Sequence, residues 1–324
     1  GGFTKGRDRS FHFGSNEHHI VGMISHLGAQ LGVADGIALA SKIQKEGKAT
    51  VVFTGDGGAS EGDFHEAMNV AAVWELPVIV VVENNGYGLS TPSREQFREN
   101  FKMKAESYGI EAVQMDGNDI LDVYVTMKKV VARVRKTQKP MLVEAMTFRM
   151  RGHEEASGNK YVPRDLLEFW AKKDPVENYE GFLLEQAILN DEIQVEIKQR
   201  LMKLIEIGLE EAFSEPLPEP DTVQEMKDLF REFPQQIRFP EKDTKSKKRL
   251  VDAISDGLLQ SLEKFPELVF MGQDVADYGG VFKVTECFLE KFGRERIRNT
   301  PICESAILGA GLGLSIKGKK SVIE

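Results

Sequence analysis

Gly55-Asp56-Gly57 and, 26 residues further on, Asn84-Asn85 followed by Gly86-Tyr87-Gly88 carry the densest chemistry in this chain. An aspartate between glycines offers a carboxylate on a tight turn, and paired asparagines offer side-chain carbonyls on another. Each group follows an apolar run: Ala49-Thr50-Val51-Val52-Phe53-Thr54 reads as a buried β-strand and Val78-Ile79-Val80-Val81-Val82 as a second. Between them, Asp63 to Trp74 reads as a helix. Strand, acidic turn, helix, strand and amide turn form a parallel α/β unit, which brings Asp56 and Asn85 together at the carboxyl ends of neighbouring strands.

The donor types define the ligand. One carboxylate from Asp56, one side-chain carbonyl from Asn85 and a backbone carbonyl near Tyr87 are hard oxygen donors suited to Mg²⁺, which keeps part of its shell for water and phosphate. Gly57 and Gly58 have no Cβ, so their backbone N–H groups can approach a phosphate at the mouth of the following helix. A magnesium diphosphate fits this set. Either motif alone is also common as a plain turn, because Asn tolerates positive φ. Their joint spacing and the strands in front of both favour the ligand.

This pattern resembles the thiamine diphosphate fingerprint, in which GDG is followed after about two dozen residues by NN. Three longer stretches resemble the α subunit of 2-oxoacid dehydrogenases, the thiamine-dependent decarboxylating component. They are Gly6-Arg7-Asp8-Arg9-Ser10-Phe11-His12-Phe13-Gly14, Gly57-Gly58-Ala59-Ser60-Glu61-Gly62-Asp63 and Asn84-Asn85-Gly86-Tyr87-Gly88-Leu89-Ser90-Thr91-Pro92. The Ser-Thr-Pro and Ala-Ser-Glu-Gly-Asp segments are closer to the branched-chain enzyme than to pyruvate dehydrogenase. Further on, Gly272-Gln273-Asp274-Val275-Ala276-Asp277-Tyr278-Gly279-Gly280-Val281-Phe282-Lys283-Val284-Thr285 resembles the opening of the β subunit of the same enzymes. Both halves stand in one chain.

The resemblance implies roles. Asp56, Asn85 and Tyr87 hold Mg²⁺, and Gly57 and Gly58 lie along the diphosphate. Glu304, after Thr300-Pro301-Ile302-Cys303, is the activator that hydrogen-bonds the aminopyrimidine ring, a task for a carboxylate partly removed from water with a raised pKa. Its plainer reading is a carboxylate favoured by the dipole at the start of a helix over Ser305 to Ile316. His153, in a loop after the strand Pro140-Met141-Leu142-Val143-Glu144-Ala145, faces the thiazolium carbon and assists acyl transfer to lipoyl. Arg149 contacts phosphate or supports that loop. Ser25-His26-Leu27 occupies the segment beneath the cofactor, where Leu27 either props its bent form or packs in the core. Glu154 stands where many mitochondrial members carry a regulatory serine, which removes phosphorylation at that position. His26 stands where branched-chain relatives have proline.

Composition bounds the alternatives. With 324 residues, 41% hydrophobic and 29% charged, the chain has the profile of a soluble globular protein with room for more than one core. A formal charge of −9 argues against a nucleic-acid partner, no apolar run is long enough for a bilayer, and the start has no signal-peptide layout. The single basic run, Lys245 to Arg249, reads as a solvated segment before a helix. Cys287 and Cys303 lack metal spacing and read as packing residues in a reducing compartment.

Three regions follow from the patterns. Residues 1–213 form an α-subunit-like pyrophosphate-binding domain lacking its beginning, and end in an amphipathic helical stretch over 182–213. Residues 214–247 are a Pro-rich linker with a short helix near Val223 to Phe230. Residues 248–324 open a truncated pyrimidine-binding domain: a helix from Leu250, a strand at Leu268-Val269-Phe270-Met271-Gly272, a helix over 281–292 and a strand at Ser321-Val322-Ile323. Gly309, Gly311 and Gly313 fall inside an apolar helix rather than after a strand, so they read as close helix packing and not as a dinucleotide loop.

The fold class expected is α/β, a thiamine diphosphate-binding parallel sheet flanked by helices, followed by the start of a similar domain. The resemblance implies oxidative decarboxylation of a 2-oxoacid, with acyl transfer to a lipoyl-bearing acyltransferase and assembly at least as a homodimer. It implies the cytoplasm in a bacterium and the mitochondrial matrix in a eukaryote. Pyruvate or acetoin dehydrogenase, or a non-catalytic truncated remnant, are the alternatives.

Overall fold

The computed structural model describes residues 12–154, 156–217, 219–229 and 246–324. Gly6 to Phe11, Pro218, Phe230, Pro234, Pro240 and Lys245, all used in the sequence readings, lie outside the described residues. Helix α1 (Ala29–Ile43) leads to strand β1 (Thr50–Gly55), helix α2 (Gly62–Val73) and strand β2 (Val78–Asn84). A two-residue hairpin, β3 (Tyr87–Gly88) with β4 (Thr91–Pro92), follows immediately. Then come α3 (Phe101–Ser107), β5 (Glu111–Asp116), α4 (Ile120–Thr137), β6 (Met141–Met146) and α5 (Arg164–Ala171).

The four longer strands form one parallel sheet in the order β1-β2-β6-β5. Its central strand β2 is apolar on both faces because helices cover both. Val78, Val80 and Val82 join Leu39, Phe64 and Met68 of α1 and α2, whereas Ile79 and Val81 join Val130 and Val134 of α4. Strand β1 corrects an expectation. Among the described residues it is the sheet edge, and only Val52 and Thr54 are buried while Val51 and Phe53 are 39% and 56% exposed.

Two compact units divide the chain: one takes in residues up to Pro175 together with Arg249–Glu324, and the other is Val176–Lys248. The second carries α6 (Pro175–Glu185), α7 (Asp191–Ser214) and α8 (Thr222–Leu229). The single helical stretch expected over 182–213 is thus broken. Ala187 takes positive φ, and the Asn190 side chain caps α7 by accepting from the Ile193 N–H at 2.9 Å.

The rest of the first unit is α9 (Leu250–Lys264), β7 (Leu268–Gly272), α10 (Phe288–Phe292), β8 (Ile297–Asn299), α11 (Glu304–Ile316) and β9 (Lys320–Ile323), with a parallel sheet in the order β8-β7-β9. The helix expected over 281–292 shrinks to α10. Upstream of it Lys283 and Cys287 take positive φ, and the buried Thr285 hydroxyl donates to the Val275 carbonyl at 2.7 Å, which holds a turn instead of a helix. Cys287 is exposed rather than packed. Cys303 is buried, and burial, with the Glu66, Glu304 and Asp35 carboxylates nearby, pushes its thiol up to about 11.

Helices α1 and α11 join the two parts of this unit through glycines. A Cβ on Gly36 would stand 2.1 Å from the Ala310 carbonyl oxygen, and one on Gly313 2.1 Å from that of Val33. No side chain fits there, so the backbones touch and Leu31, Ala38, Ile307, Ala310 and Leu314 share one core. Gly309 and Gly313 therefore serve close packing. Two polar links reinforce it: Glu66 on α2 accepts from the Ala306 N–H at 3.0 Å, and the Trp74 indole donates to the Asn299 carbonyl at 3.3 Å.

Candidate functional site

Strand register decides where the two motifs meet. Gly55 pairs with Glu83 and Asn84 with Met146, so the acidic turn leaves the tip of β1 beside the amide turn leaving β2, with the end of β6 on the other side. Asp56 is wholly buried. Its Oδ2 accepts from the Ser93 hydroxyl at 2.7 Å, and its Oδ1 is buried without a hydrogen-bond partner. A buried carboxylate oxygen left bare is costly unless something else neutralises it.

The amide turn is built to close on that aspartate. The Gly86 N–H donates to Asn84 Oδ1 at 3.1 Å, and the Tyr87 N–H to Asn85 Oδ1 at 3.1 Å. Ser93 closes the hairpin by donating its own N–H to the Gly86 carbonyl at 2.9 Å while its hydroxyl reaches Asp56. The glycines have a steric reason within the protein. A Cβ on Gly57 would lie 2.8 Å from the Gly88 Cα, and one on Gly58 2.7 Å from Thr54 Oγ1. Gly57 and Gly88 therefore let the two turns touch.

This arrangement fits a divalent cation. Asp56 Oδ1 is free, Asn85 Oδ1 keeps a second lone pair after accepting from Tyr87, and backbone carbonyls lie at hand. Among the described residues no three His, Cys, Asp or Glu side chains cluster to hold a metal, and the donors these two turns offer are one carboxylate with neutral amide and backbone oxygens. That is how Mg²⁺ is held when phosphates supply the remaining charge.

Arg149 ties the loop after β6 to the same turn. Its Nη2 donates to the Leu89 carbonyl at 2.6 Å and the Tyr161 hydroxyl at 3.1 Å, and its Nη1 lies 3.3 Å from His153 Nδ1. The Tyr87 ring packs edge-on against Phe148 and Tyr161. His153 is exposed on this loop, beside the amide turn. Ser25 is exposed, with its hydroxyl 3.0 Å from His12 Nε2.

Two expectations are corrected here. Leu27 is 63% exposed, which rules out the core-packing reading because its side chain projects from the loop before α1. Glu304 is exposed in the first turn of α11 rather than partly removed from water. It sits where the helix dipole favours a carboxylate, and it is Glu66 that hydrogen-bonds the N-terminus of α11.

Ser93, Tyr161 and Glu144 escape sequence reasoning. Only Glu144 carries a signal: a carboxylate inside the apolar run Met141-Leu142-Val143-Glu144-Ala145 is out of place unless it has buried partners.

Comparisons with known proteins show which family the chain is similar to. The family model described as "Dehydrogenase E1 component" matches residues 2–221, and that described as "Transketolase, pyrimidine binding domain" matches residues 246–324. The chain is 35% identical over 238 residues to the 2-oxoisovalerate dehydrogenase subunit alpha, mitochondrial, of Pan troglodytes, covering 72% of this chain and 53% of the relative. It is 36% identical over 219 residues to the 2-oxoisovalerate dehydrogenase subunit alpha of Bacillus subtilis, covering 67% and 66%. It thus spans about half the length of the first of these relatives and about two thirds of the second. Among solved structures, transketolase from Campylobacter jejuni superposes with a TM-score of 0.54 at 22% identity, over 92% of this chain and 47% of that one. The shared fold is the parallel α/β sheet with flanking helices. Among the described residues, no helix is long and apolar enough to cross a membrane.

Proposed function

Because the chain belongs to the dehydrogenase E1 component family, we propose that it binds thiamine diphosphate with Mg²⁺ and serves the oxidative decarboxylation of a branched-chain 2-oxoacid. The observation that carries this reading is the partnerless Oδ1 of a wholly buried Asp56, against which Ser93 closes the amide turn.

Asp56, Asn85 and the Tyr87 carbonyl would hold the Mg²⁺, with Gly57 and Gly58 along the diphosphate. Leu27 and Ser25 would lie beneath the cofactor, Leu27 propping its bent form. When bound, the cofactor supplies a carbon nucleophile and an electron sink for the departure of CO₂. Glu304 would hydrogen-bond the aminopyrimidine ring through its carboxyl oxygens; its exposure leaves it open to cover by a second copy of the chain. His153 would face the thiazolium carbon and assist acyl transfer to a lipoyl arm of a partner acyltransferase. Arg149 fixes the His153 loop over the site through Leu89 and Tyr161. Residues 1–213 serve as the pyrophosphate half and 248–324 as the pyrimidine half, fused through 214–247 in one chain that dimerises at least. The compartment is the cytoplasm in a bacterium and the mitochondrial matrix in a eukaryote.

Titration calorimetry with thiamine diphosphate and Mg²⁺ tests the binding. Wild type should bind only with the metal, and Asp56→Ala should abolish it; binding that ignores the metal or this variant overturns the reading. CO₂ release from 3-methyl-2-oxobutanoate against pyruvate, and acetoin cleavage, then decide the substrate. Preference for pyruvate or acetoin moves the chain to those enzymes, and binding without turnover to a non-catalytic remnant.

A further inference from the structure

Glu144 is buried, 5% exposed, in the inner strand β6, yet among the described residues its carboxylate meets two amides and no side-chain cation. Its Oε1 accepts from Asn84 Nδ2 at 2.7 Å and its Oε2 from Gln114 Nε2 at 3.2 Å. Register makes this possible, because Glu144 stands opposite both Val82 of β2 and Gln114 of β5, and Asn84 shares the sheet face of Val82. The three side chains thus run across three adjacent strands directly below the amide turn.

The chemistry of the pair is directional. A carboxylate only accepts, so Asn84 must turn its NH₂ toward Glu144 and its carbonyl oxygen away. That oxygen takes the Gly86 N–H at 3.1 Å, and the Asn84 backbone carbonyl takes the Thr147 N–H at 3.0 Å. Asn85 is therefore held between two anchors, one of which exists only while the Asn84 amide faces one way. Burying a carboxylate in an apolar strand is unfavourable, and an apolar residue would fill the same space without that penalty.

We infer that Glu144 is a positioning residue for the cofactor site: its buried carboxylate fixes the orientation of the Asn84 amide and through it the turn that presents Asn85 to the metal. This deepens the function proposed above and rests on it for the metal, but not for the turn.

The donor and acceptor logic can be inverted. Glu144→Leu strips Asn84 of its acceptor and should weaken Mg²⁺-dependent thiamine diphosphate binding about 10- to 100-fold. Glu144→Gln keeps one acceptor for Asn84 and can donate to a flipped Gln114, so binding should stay within about threefold of wild type. Asn84→Asp sets two carboxylates against each other and should bind poorly. The double variant Asn84→Asp with Glu144→Gln restores one donor and one acceptor and should recover most of the affinity. A residue that merely fills space would give no such reciprocal rescue. Amide exchange at Gly86 and Tyr87, read without any ligand, should speed up about tenfold in Glu144→Leu and not in Glu144→Gln. Equal binding and equal exchange in Glu144→Leu and wild type, or no recovery in the double variant, overturn the inference. Wild type that fails to bind cofactor while its Gly86 and Tyr87 amides respond to Glu144→Leu overturns the proposed function alone. Should Glu144→Leu fail to fold, the Asn84→Asp pair decides.

Discussion

Replacing Gly57 by alanine separates the two turns without disturbing either one. Gly57 lies at φ −64° and ψ −45°, where any residue is comfortable, so no backbone strain is added. The new Cβ would stand 2.8 Å from the Gly88 Cα and 3.4 Å from Gln96 Oε1. Backbone against backbone cannot swing aside, so the turns must part by about 0.6 Å or more to reach ordinary contact. Overpacking on this scale destabilises by about 1–3 kcal/mol. The separation also falls between the donors on Asp56 and Asn85. Mg²⁺ demands octahedral oxygens at about 2.0–2.1 Å, whereas Ca²⁺ accepts about 2.3–2.6 Å in a flexible shell. Thiamine diphosphate affinity with Mg²⁺ should therefore fall at least about tenfold, and with Ca²⁺ by clearly less. Calorimetric titration with each metal, alongside a thermal melt, measures both effects. Gly62→Ala is the control: its Cβ meets nothing within 4 Å and it opens α2, so it should be neutral or stabilise by up to about 1 kcal/mol. Unchanged Mg²⁺ affinity in Gly57→Ala, or an equal loss with both metals, would refute the reasoning that turn contact sets metal geometry.

Three further outcomes are expected. Gly36→Ala places a Cβ 2.1 Å from the Ala310 carbonyl oxygen, so forcing α1 from α11 should cost about 3 kcal/mol or more in a denaturant melt; an unmoved midpoint contradicts the crossing described. Burial holds the Asp35 carboxyl well above its ordinary value of 3.8, so the folded state grips this proton more tightly than the unfolded chain does. That contribution is complete below about pH 3.8 and is lost as pH rises toward the folded value. Wild type should therefore lose at least about 1 kcal/mol relative to Asp35→Asn between about pH 4 and 7, whereas parallel pH profiles would show Asp35 ionised without penalty. Ser93→Ala removes the one donor that the buried Asp56 carboxylate has among the described residues. It should destabilise the metal-free protein by about 1.5–3 kcal/mol and the protein with Mg²⁺ and thiamine diphosphate by less, read as a narrowing gap between thermal midpoints. A gap that stays constant would mean that the cation does not touch Asp56.

The main elements were legible because each is a local pattern. The uninterrupted valines of β2, the glycine-flanked Asp56 and the Asn84-Asn85 pair announce a strand and two turns with little help from the rest of the chain. Where the readings went astray, distant partners intervened. The run at Val51 and Phe53 looks buried, and sequence cannot say that among the described residues no strand pairs beyond it. Residues 281–287 have helical composition, but a hydrogen bond from Thr285 to Val275 holds them in a turn. Leu27 is apolar yet projects from a loop, and Glu304 is polar in a motif that suggests burial yet stands exposed.

Residue types and spacing thus determined by themselves the groups gathered at the site: a carboxylate and amides on glycine-bearing turns after parallel strands. Tertiary structure alone decided which atoms remain free to act. Ser93 takes one oxygen of Asp56 and leaves the other bare, Glu144 selects the face of Asn84, and Gly57 meets Gly88 across the gap. Those partners are separated in sequence by 37, 60 and more than two dozen residues, and only the strand register brings them within a few ångströms. Hydrogen bonding and steric contact act at that range, so no local pattern could have encoded them.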